Sequence, residues 1–219
     1  NPLEASGLNF RQASAYAGTA PGQRLLRAFV VSTVPAIVAG APVIDQTVTL
    51  RANQYYTIIH VGLAQGNRDS LLIIEDAIPT PATLGANVGI RAIHAAPTVG
   101  AVNIFVTDTI TDALPATPVA ANAAYGARTG YVTRAAGRAA ARVQVAATPA
   151  TVLSVQMQRG TAGTDQLNPE GGVAVAGSSM SVVAFPAGLG ARATGTATGP
   201  SLVSFLDGRP AETVTRVRP

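Results

Sequence analysis

An internal repeat restricts the fold of this 219-residue chain more than any other feature of its sequence. One pattern occurs twice, 115 positions apart: an aromatic residue, five residues, a tyrosine, five residues and a glycine. The first copy has Phe10, Tyr16 and Gly22, and the second has Tyr125, Tyr131 and Gly137. Two further stretches repeat in the same order, because 52–59 resembles 176–183 and 70–76 resembles 201–207, at offsets of 124 and 131. Loop insertions between matched strands produce such growing offsets, so the sequence indicates two copies of one structural unit.

The first copy of the repeat is shorter than the second. Two strand-like runs, Gly89–Pro97 and Ala101–Thr107, precede Tyr131, whereas only fifteen residues precede Tyr16. We therefore expect the first copy to lack the opening strands. The chain is expected to have three parts: a truncated domain over residues 1–80, a linker over 81–87 and a complete domain over 88–219.

Short alternating runs and frequent turn residues predict β-strands rather than helices. In Arg138–Val145, for example, Ala139, Ala141 and Val143 fall on one face of the strand. The chain also contains 22 Gly and 15 Pro, which separate the apolar runs, and no stretch has a sustained helical period. The sequence therefore predicts an all-β chain of antiparallel β-sandwich domains, with about seven strands in the complete one.

The composition excludes several classes of site. The chain has no Cys and only two His, so it has no disulfide, thiolate nucleophile or Cys-based zinc site, and one copy cannot supply a multi-histidine metal centre. Lys is absent, and neither a P-loop nor a G-x-S-x-G nucleophile turn occurs. We therefore expect no catalytic residues, no metal and no organic cofactor. The net charge of +4 includes no clustered Arg run, so we expect no nucleic-acid partner.

Four residues of the repeat, Tyr16, Gly22, Tyr131 and Gly137, are interpreted as structural. A buried tyrosine whose hydroxyl bonds a turn is a common device in β-sandwiches, and we expect both tyrosines to have that role.

The two histidines receive structural interpretations first. His94 lies three residues before Pro97, where its ring would hydrogen-bond the following turn and fix the exit of the chain. The alternative for His94 is a ligand-binding or pH-sensing role, because imidazole titrates near neutral pH. His60 lies on the same strand face as Tyr56 and Ile58 and is expected to be buried or half-buried.

Several short motifs resemble those of one bacterial family. They are Arg91-Ala-Ile-His94-Ala-Ala-Pro97, Val102-Asn-Ile-Phe-Val106, Thr129-Gly-Tyr131 with Gly137, and Leu50-Arg-Ala-Asn53-Gln-Tyr-Tyr56-Thr57. Together they are similar to domain-of-unknown-function family 4397, in which Asp is usual at the position of Asn103 and Gly at that of Asn53. The resemblance covers most of 88–219 and the strand-bearing part of 9–76. It implies immunoglobulin-like sandwiches, often in tandem, in secreted or lipid-anchored envelope proteins, and it implies no established activity.

We expect a non-catalytic structural or interaction protein of the bacterial cell envelope. A sandwich that lacks two strands exposes backbone groups along an edge, and proteins normally cover such edges. The first domain is therefore expected to dock on other protein subunits of a larger, membrane-associated assembly, with charged contacts at Arg134, Arg138 and Arg142. The alternative is a carbohydrate- or ligand-binding envelope module, although the chain has no Trp and only ten Phe and Tyr.

The expected location is periplasmic or extracellular. The chain would be peripheral to the membrane, and a leader or lipid anchor upstream of Asn1 would be compatible with that location.

Overall fold

The chain divides after Asp76 into a smaller first unit and a larger second unit. The computed structural model describes residues 7–30, 40–61, 70–148, 150–164, 167–188 and 199–212. Strands dominate both units, and the described residues contain a single short helix, α1 (Pro81–Leu84). The all-β class expected from the sequence is confirmed.

The described residues of the first unit form two antiparallel strand pairs. Its strands are β1 (Gly22–Ala28), β2 (Ile44–Leu50), β3 (Tyr55–Val61) and β4 (Ser70–Asp76). Among the described residues, β1 pairs only with β2 and β3 only with β4. Alternation explains the strands: in β2, Ile44, Val48 and Leu50 are buried, whereas the residues between them are exposed or half-buried.

The second unit is a β-sandwich of two four-stranded sheets. Its strands are β5 (Asn87–His94), β6 (Val102–Thr107), β7 (Ala120–Ala123), β8 (Val132–Ala135), β9 (Ala140–Val145), β10 (Thr151–Gln156), β11 (Ser179–Phe185) and β12 (Ser201–Gly208). One sheet has the order β10-β9-β6-β7 and the other the order β12-β11-β5-β8. Both sheets contribute to one core, as Val88, Ile104, Val143 and Val182 illustrate. Burial of this apolar cluster is the main driving force for folding of the unit.

The internal repeat is visible in the strand pairing. At an offset of 124 residues β3 corresponds to β11, and at an offset of 131 residues β4 corresponds to β12. Six residue pairs then keep the same register, so that Thr57 opposite Ile74 corresponds to Ser181 opposite Phe205. In the same way the offset of 115 places β1 on β9. The first unit therefore contains the counterparts of β9 to β12.

The turn before β3 explains one departure from the family pattern. Asn53 has a φ of 58°, and the residue at the matching position, Gly177, has a φ of 83°. Asn tolerates this left-handed conformation better than other residues with a side chain, so it can stand where the family usually has Gly.

Three details of the fold differ from the sequence-based expectation. The described part of the second unit has eight strands, where about seven were expected. The described residues of the first unit lack counterparts of four strands, β5 to β8, where two were expected. The expectation missed β7 and β8 because strands of four residues carry little signal in the sequence. Finally, β5 and β11 pair in parallel inside a sheet expected to be antiparallel. The long chain segment between them makes a parallel ladder accessible.

The region expected to be a linker, 81–87, contains α1 and the start of β5. Thr80 caps α1, since its hydroxyl accepts a hydrogen bond from the Thr83 amide, and Leu84 is buried. Within the described ranges, no helix has the length and hydropathy that crossing a membrane requires.

Candidate functional site

A buried polar cluster lies on β5, β11 and β12 of the second unit. The Asp207 carboxylate accepts hydrogen bonds from the Tyr131 hydroxyl at 2.9 Å and the Ser181 hydroxyl at 2.6 Å. Arg91 donates from Nε to Ser181 at 2.6 Å, and its Nη2 lies 3.6 Å from Asp207. The Arg91 guanidinium also lies 5.0 Å from the centre of the Tyr131 ring, within the range of a cation–π contact.

Burial makes this cluster a structural device. The Arg91 and Asp207 side chains are only 3% and 7% exposed, and charges removed from water are tolerated only when paired and hydrogen-bonded. The two hydroxyls and the guanidinium supply those partners. The hydrogen bonds from the Tyr131 and Ser181 hydroxyls therefore help the Asp207 carboxylate to remain buried.

The first unit contains the same arrangement at the matching positions of the repeat. Asp76 Oδ2 accepts hydrogen bonds from the Tyr16 hydroxyl at 2.8 Å and from the Thr57 hydroxyl at 2.7 Å. Asp76 is 4% exposed. Tyr16 corresponds to Tyr131 in the second unit, and Thr57 corresponds to Ser181.

These contacts correct the expected role of the tyrosines. Tyr16 is 42% exposed rather than buried, and both hydroxyls bond an aspartate at the end of a strand rather than a turn. The sequence contained the necessary signal, since both aspartates end matched stretches. It did not reveal the pairing, because Tyr and Asp are far apart along the chain in each copy.

The two repeat glycines have different backbone conformations. Gly22 begins β1 with a φ of 103°, a conformation that strains any residue with a Cβ. Gly137 has no such φ, and a Cβ added there would meet open space. The repeated glycine is thus required by backbone geometry in the first copy only.

His94 is fully buried and bonds the turn that follows β5. Its Nε2 lies 3.1 Å from the Gly100 carbonyl oxygen, and the Ala96 amide donates to Nδ1 over a long 3.4 Å. The ring is thereby held against the backbone on both sides of the turn. Pro97 lies within this turn. His60, in contrast, is exposed, so the expected burial of its side chain was wrong.

The three arginines proposed for charged contacts differ in their surroundings. Arg134 forms an ion pair with Asp108 and also donates to the Thr107 carbonyl oxygen. Arg142 donates to the carbonyl oxygen of Asp112. Arg138 is exposed. Two of the three are therefore held by their own unit, and Arg138 is the most accessible.

Asp112 belongs to a tight turn after β6. Its carboxylate accepts hydrogen bonds from the Thr109 hydroxyl at 2.5 Å and the Thr109 amide at 2.7 Å. The hydroxyl bond is the largest of the effects that hold the pKa of Asp112 below its ordinary value. In the described part of the chain, no group of three or more acidic or histidine side chains is placed to hold a metal ion.

The first unit has an incompletely covered inner face. In the second unit, Met180, Val182 and Ala184 of β11 point into the sandwich and are at most 2% exposed. Their counterparts in β3 are half-buried or exposed; they are Tyr56, Ile58 and His60. The opposite face of the β3–β4 pair is better covered, because Ile59 and Ile74 are buried.

The β1–β2 pair repeats this difference. Ala139, Ala141 and Val143 are fully buried in the second unit, whereas the matching β1 residues Arg24 and Leu26 are half-buried. Large exposed apolar residues also concentrate in the first unit; they are Leu8, Tyr16, Leu25, Phe29, Val30, Val43 and Tyr55. We call the half-buried inner face of β1 and β3 the open face.

Comparison with known families finds one similarity, in the first part of the chain. The family described as a domain of unknown function (DUF4397) matches residues 1–105. The DUF4397 match contains strands β1 to β5 and most of β6, and residues 106–219, including Tyr131, lie outside it. No curated protein matches the chain.

Proposed function

We propose that this protein is a non-catalytic interaction subunit of the bacterial cell envelope, whose first unit docks on another protein through the open face. The observation that supports this proposal is the contrast between the open face and the fully buried counterparts in the second unit. Apolar side chains left half-buried gain free energy when a partner removes them from water.

The strand edges favour the same surface. In the second unit, β9 has β6 as a further neighbour and β11 has β5. The described residues give the matching strands β1 and β3 no such second neighbour. An exposed edge offers backbone donors and acceptors to a partner, and this adds hydrogen bonds to the apolar contact.

The proposed setting is the extracytoplasmic side of the envelope, on a membrane-associated assembly, with the two units related as tandem immunoglobulin-like domains. The exposed Arg138 of the second unit would supply a separate charged contact, and such exposed charges influence association rates more than affinity.

Two measurements test the docking proposal. Hydrogen exchange of the isolated chain should show faster exchange in β3 than in β11, because β11 is paired on both sides. A photo-crosslinking phenylalanine analogue at Tyr56, a half-buried residue of the open face, should crosslink one envelope protein in cells. Adding that protein, once purified, should slow exchange in β3.

The matched control is the same analogue at Tyr125, an exposed aromatic residue of the second unit. We expect no crosslink from that position. Equal protection of β3 and β11 in an isolated monomer, together with no crosslink from Tyr56, would refute the docking proposal.

A carbohydrate-binding role is the second candidate, and one observation favours it. The exposed rings of Tyr16 and Tyr55 contact edge to face with centroids 5.6 Å apart, and exposed tyrosines can stack on sugars. Glycan binding that is lost in Tyr55→Ala, with docking unaffected, would support this candidate. Absence of binding to any envelope polysaccharide would remove it.

A further inference from the structure

A cleft at one edge of the second unit is separate from the open face. We propose that this cleft binds a small aliphatic carboxylate, with the aliphatic body between the two sheets and the carboxylate at the mouth. The residues that line it belong to β5, β6, β7 and the segment that follows β7. The inference is therefore independent of the docking function proposed above.

The cleft lies where the two sheets of the sandwich end. β7 is the last strand of one sheet. The segment 127–129 runs along β5 ahead of β8, because the Thr129 amide donates to the Ala92 carbonyl oxygen and the His94 amide donates to the Ala127 carbonyl oxygen, both at 2.9 Å. A volume of about 330 Å³ lies between β7 and this segment, which is within the range of small-molecule sites.

Small side chains and a bulge keep the cleft open. Six of the ten lining residues are alanine, so few side-chain atoms fill the space between the sheets. The pairing of β6 with β7 shifts by one residue, and the extra residue lies opposite Asn103. The Asn122 amide donates to the Asn103 side-chain oxygen at 2.8 Å, and Asn122 has a φ of 46°. Such bulges are common beside binding sites, because they redirect the side chains of a strand.

The polar groups of the lining favour an anion. Arg128 is the single ionisable residue among the ten, and it is exposed. The ion pairs within the described residues involve four other arginines, which leaves the Arg128 guanidinium available to a ligand. The Thr129 hydroxyl accepts a hydrogen bond from the Ala92 amide at 2.9 Å, so it can donate its own hydrogen to a ligand oxygen. A carboxylate accepts from both groups.

The size and apolar walls of the cleft define the rest of the ligand. At roughly 30 Å³ for each water-sized group, the cleft accommodates about eleven such groups. An aliphatic body of a few carbon atoms fits this volume, and its contact with Ile104 and the alanines is favourable because it leaves water. A sugar ring would instead place hydroxyls against alanine methyl groups, where they would lack hydrogen-bond partners.

Hexanoate is the probe, and the protein is the full chain labelled with ¹⁵N for NMR. We expect saturable chemical-shift changes centred on the amides of 120–129. Acetate should bind at least tenfold more weakly, because it lacks the apolar body. Hexan-1-ol should bind about threefold more weakly, because it lacks the charge and an exposed ion pair contributes modestly. A short peptide with a C-terminal leucine tests the source of the carboxylate. Tighter binding than hexanoate identifies a polypeptide C-terminus, and weaker binding identifies a free acid.

One pair of variants tests the apolar part of the cleft. Ala127 is half-buried, lines the cleft and packs against the core, so Ala127→Leu fills part of the ligand volume and should weaken hexanoate binding at least tenfold. The control Ala135→Leu, at an exposed position outside the lining, should change it less than twofold. If Ala127→Leu does not fold, Ala124→Leu at an exposed position of the lining serves in its place, with an expected loss of about fivefold.

A second pair tests the charge. Arg128→Gln should weaken hexanoate binding about threefold and leave hexan-1-ol binding unchanged, because only the acid interacts with the guanidinium charge. The control Arg138→Gln removes an exposed arginine elsewhere in the second unit and should change neither.

The proposal is overturned if hexanoate shifts no amide in 120–129, if acetate binds as tightly as hexanoate, or if Ala135→Leu weakens binding as much as the cleft variant. Equal losses of hexanoate and hexan-1-ol in Arg128→Gln would overturn the preference for a carboxylate. Each of these results would leave the docking proposal intact, because that proposal concerns residues of the first unit.

Discussion

The two units share their hairpins but differ in what those hairpins pack against. β3 and β4 match β11 and β12 in register at six residue pairs, and each hairpin places an aspartate beside a tyrosine and a smaller hydroxyl. Yet β11 lies inside a four-stranded sheet, while β3 has a neighbour on one side among the described residues. Local sequence therefore suffices to form a hairpin, whereas burial of its inner face depends on strands from elsewhere.

The ion pairs provide the largest expected difference between the units. Arg91→Ala would leave the buried Asp207 without its cation and should destabilise the second unit by about 3–5 kcal/mol. The matched change Arg27→Ala removes a pair whose side chains are 51% and 45% exposed, and should cost about 0–1 kcal/mol. Urea unfolding followed by circular dichroism measures both. Equal effects would contradict the difference in burial.

The repeat glycines should separate the units next. Gly22→Ala forces a side chain into a φ of 103° and should destabilise the first unit by about 1–3 kcal/mol. Gly137→Ala meets no atom within 4 Å and has no unfavourable φ, so a change within about 0.5 kcal/mol is expected. Thermal unfolding of the two variants compares them directly. A large loss in Gly137→Ala would show that the matching glycine has a role beyond its backbone.

The paired tyrosines test whether the two polar clusters are equivalent. Tyr131→Phe removes a hydroxyl donor from a buried carboxylate and should cost about 1.5–3 kcal/mol. Tyr16→Phe should cost less, about 0.5–1.5 kcal/mol, because water can reach a residue that is 42% exposed. Denaturant midpoints of both variants decide the order. A larger loss for Tyr16→Phe would mean that the first cluster is the tighter one.

The smallest effect concerns a loop that has no described counterpart in the first unit. Thr109→Ala removes the hydroxyl bond that lowers the pKa of Asp112, so this pKa should rise toward its ordinary value. Because the folded-state pKa is lowered, Asp112 contributes stability above its unfolded-state pKa. That contribution is lost as pH falls through the folded-state pKa. Carboxyl NMR titration measures the change, and an unaltered titration would assign the shift to another contact.

The candidate site was only partly predictable. The repeat singled out Tyr16 and Tyr131, and the aspartates they bond end matched stretches. The prediction that both tyrosines are buried was wrong for Tyr16, because exposure depends on what covers a side chain and not on its position in a repeat. Arg91 was found only as part of a motif. Its contact with Asp207 joins residues 116 positions apart (207 − 91), which no local pattern encodes.

The sequence by itself determined the strands and the hairpin registers, because period-two alternation and short turns act over a few residues and recur at matching positions in both copies. Only the tertiary structure decided that β5 joins β11 in parallel, that Arg91 enters the cluster of the second unit, and that the inner face is buried in one unit and half-buried in the other. These outcomes depend on pairing between distant segments. Such pairing is set by the total burial that the assembled sheets achieve rather than by the residues on either side of a strand.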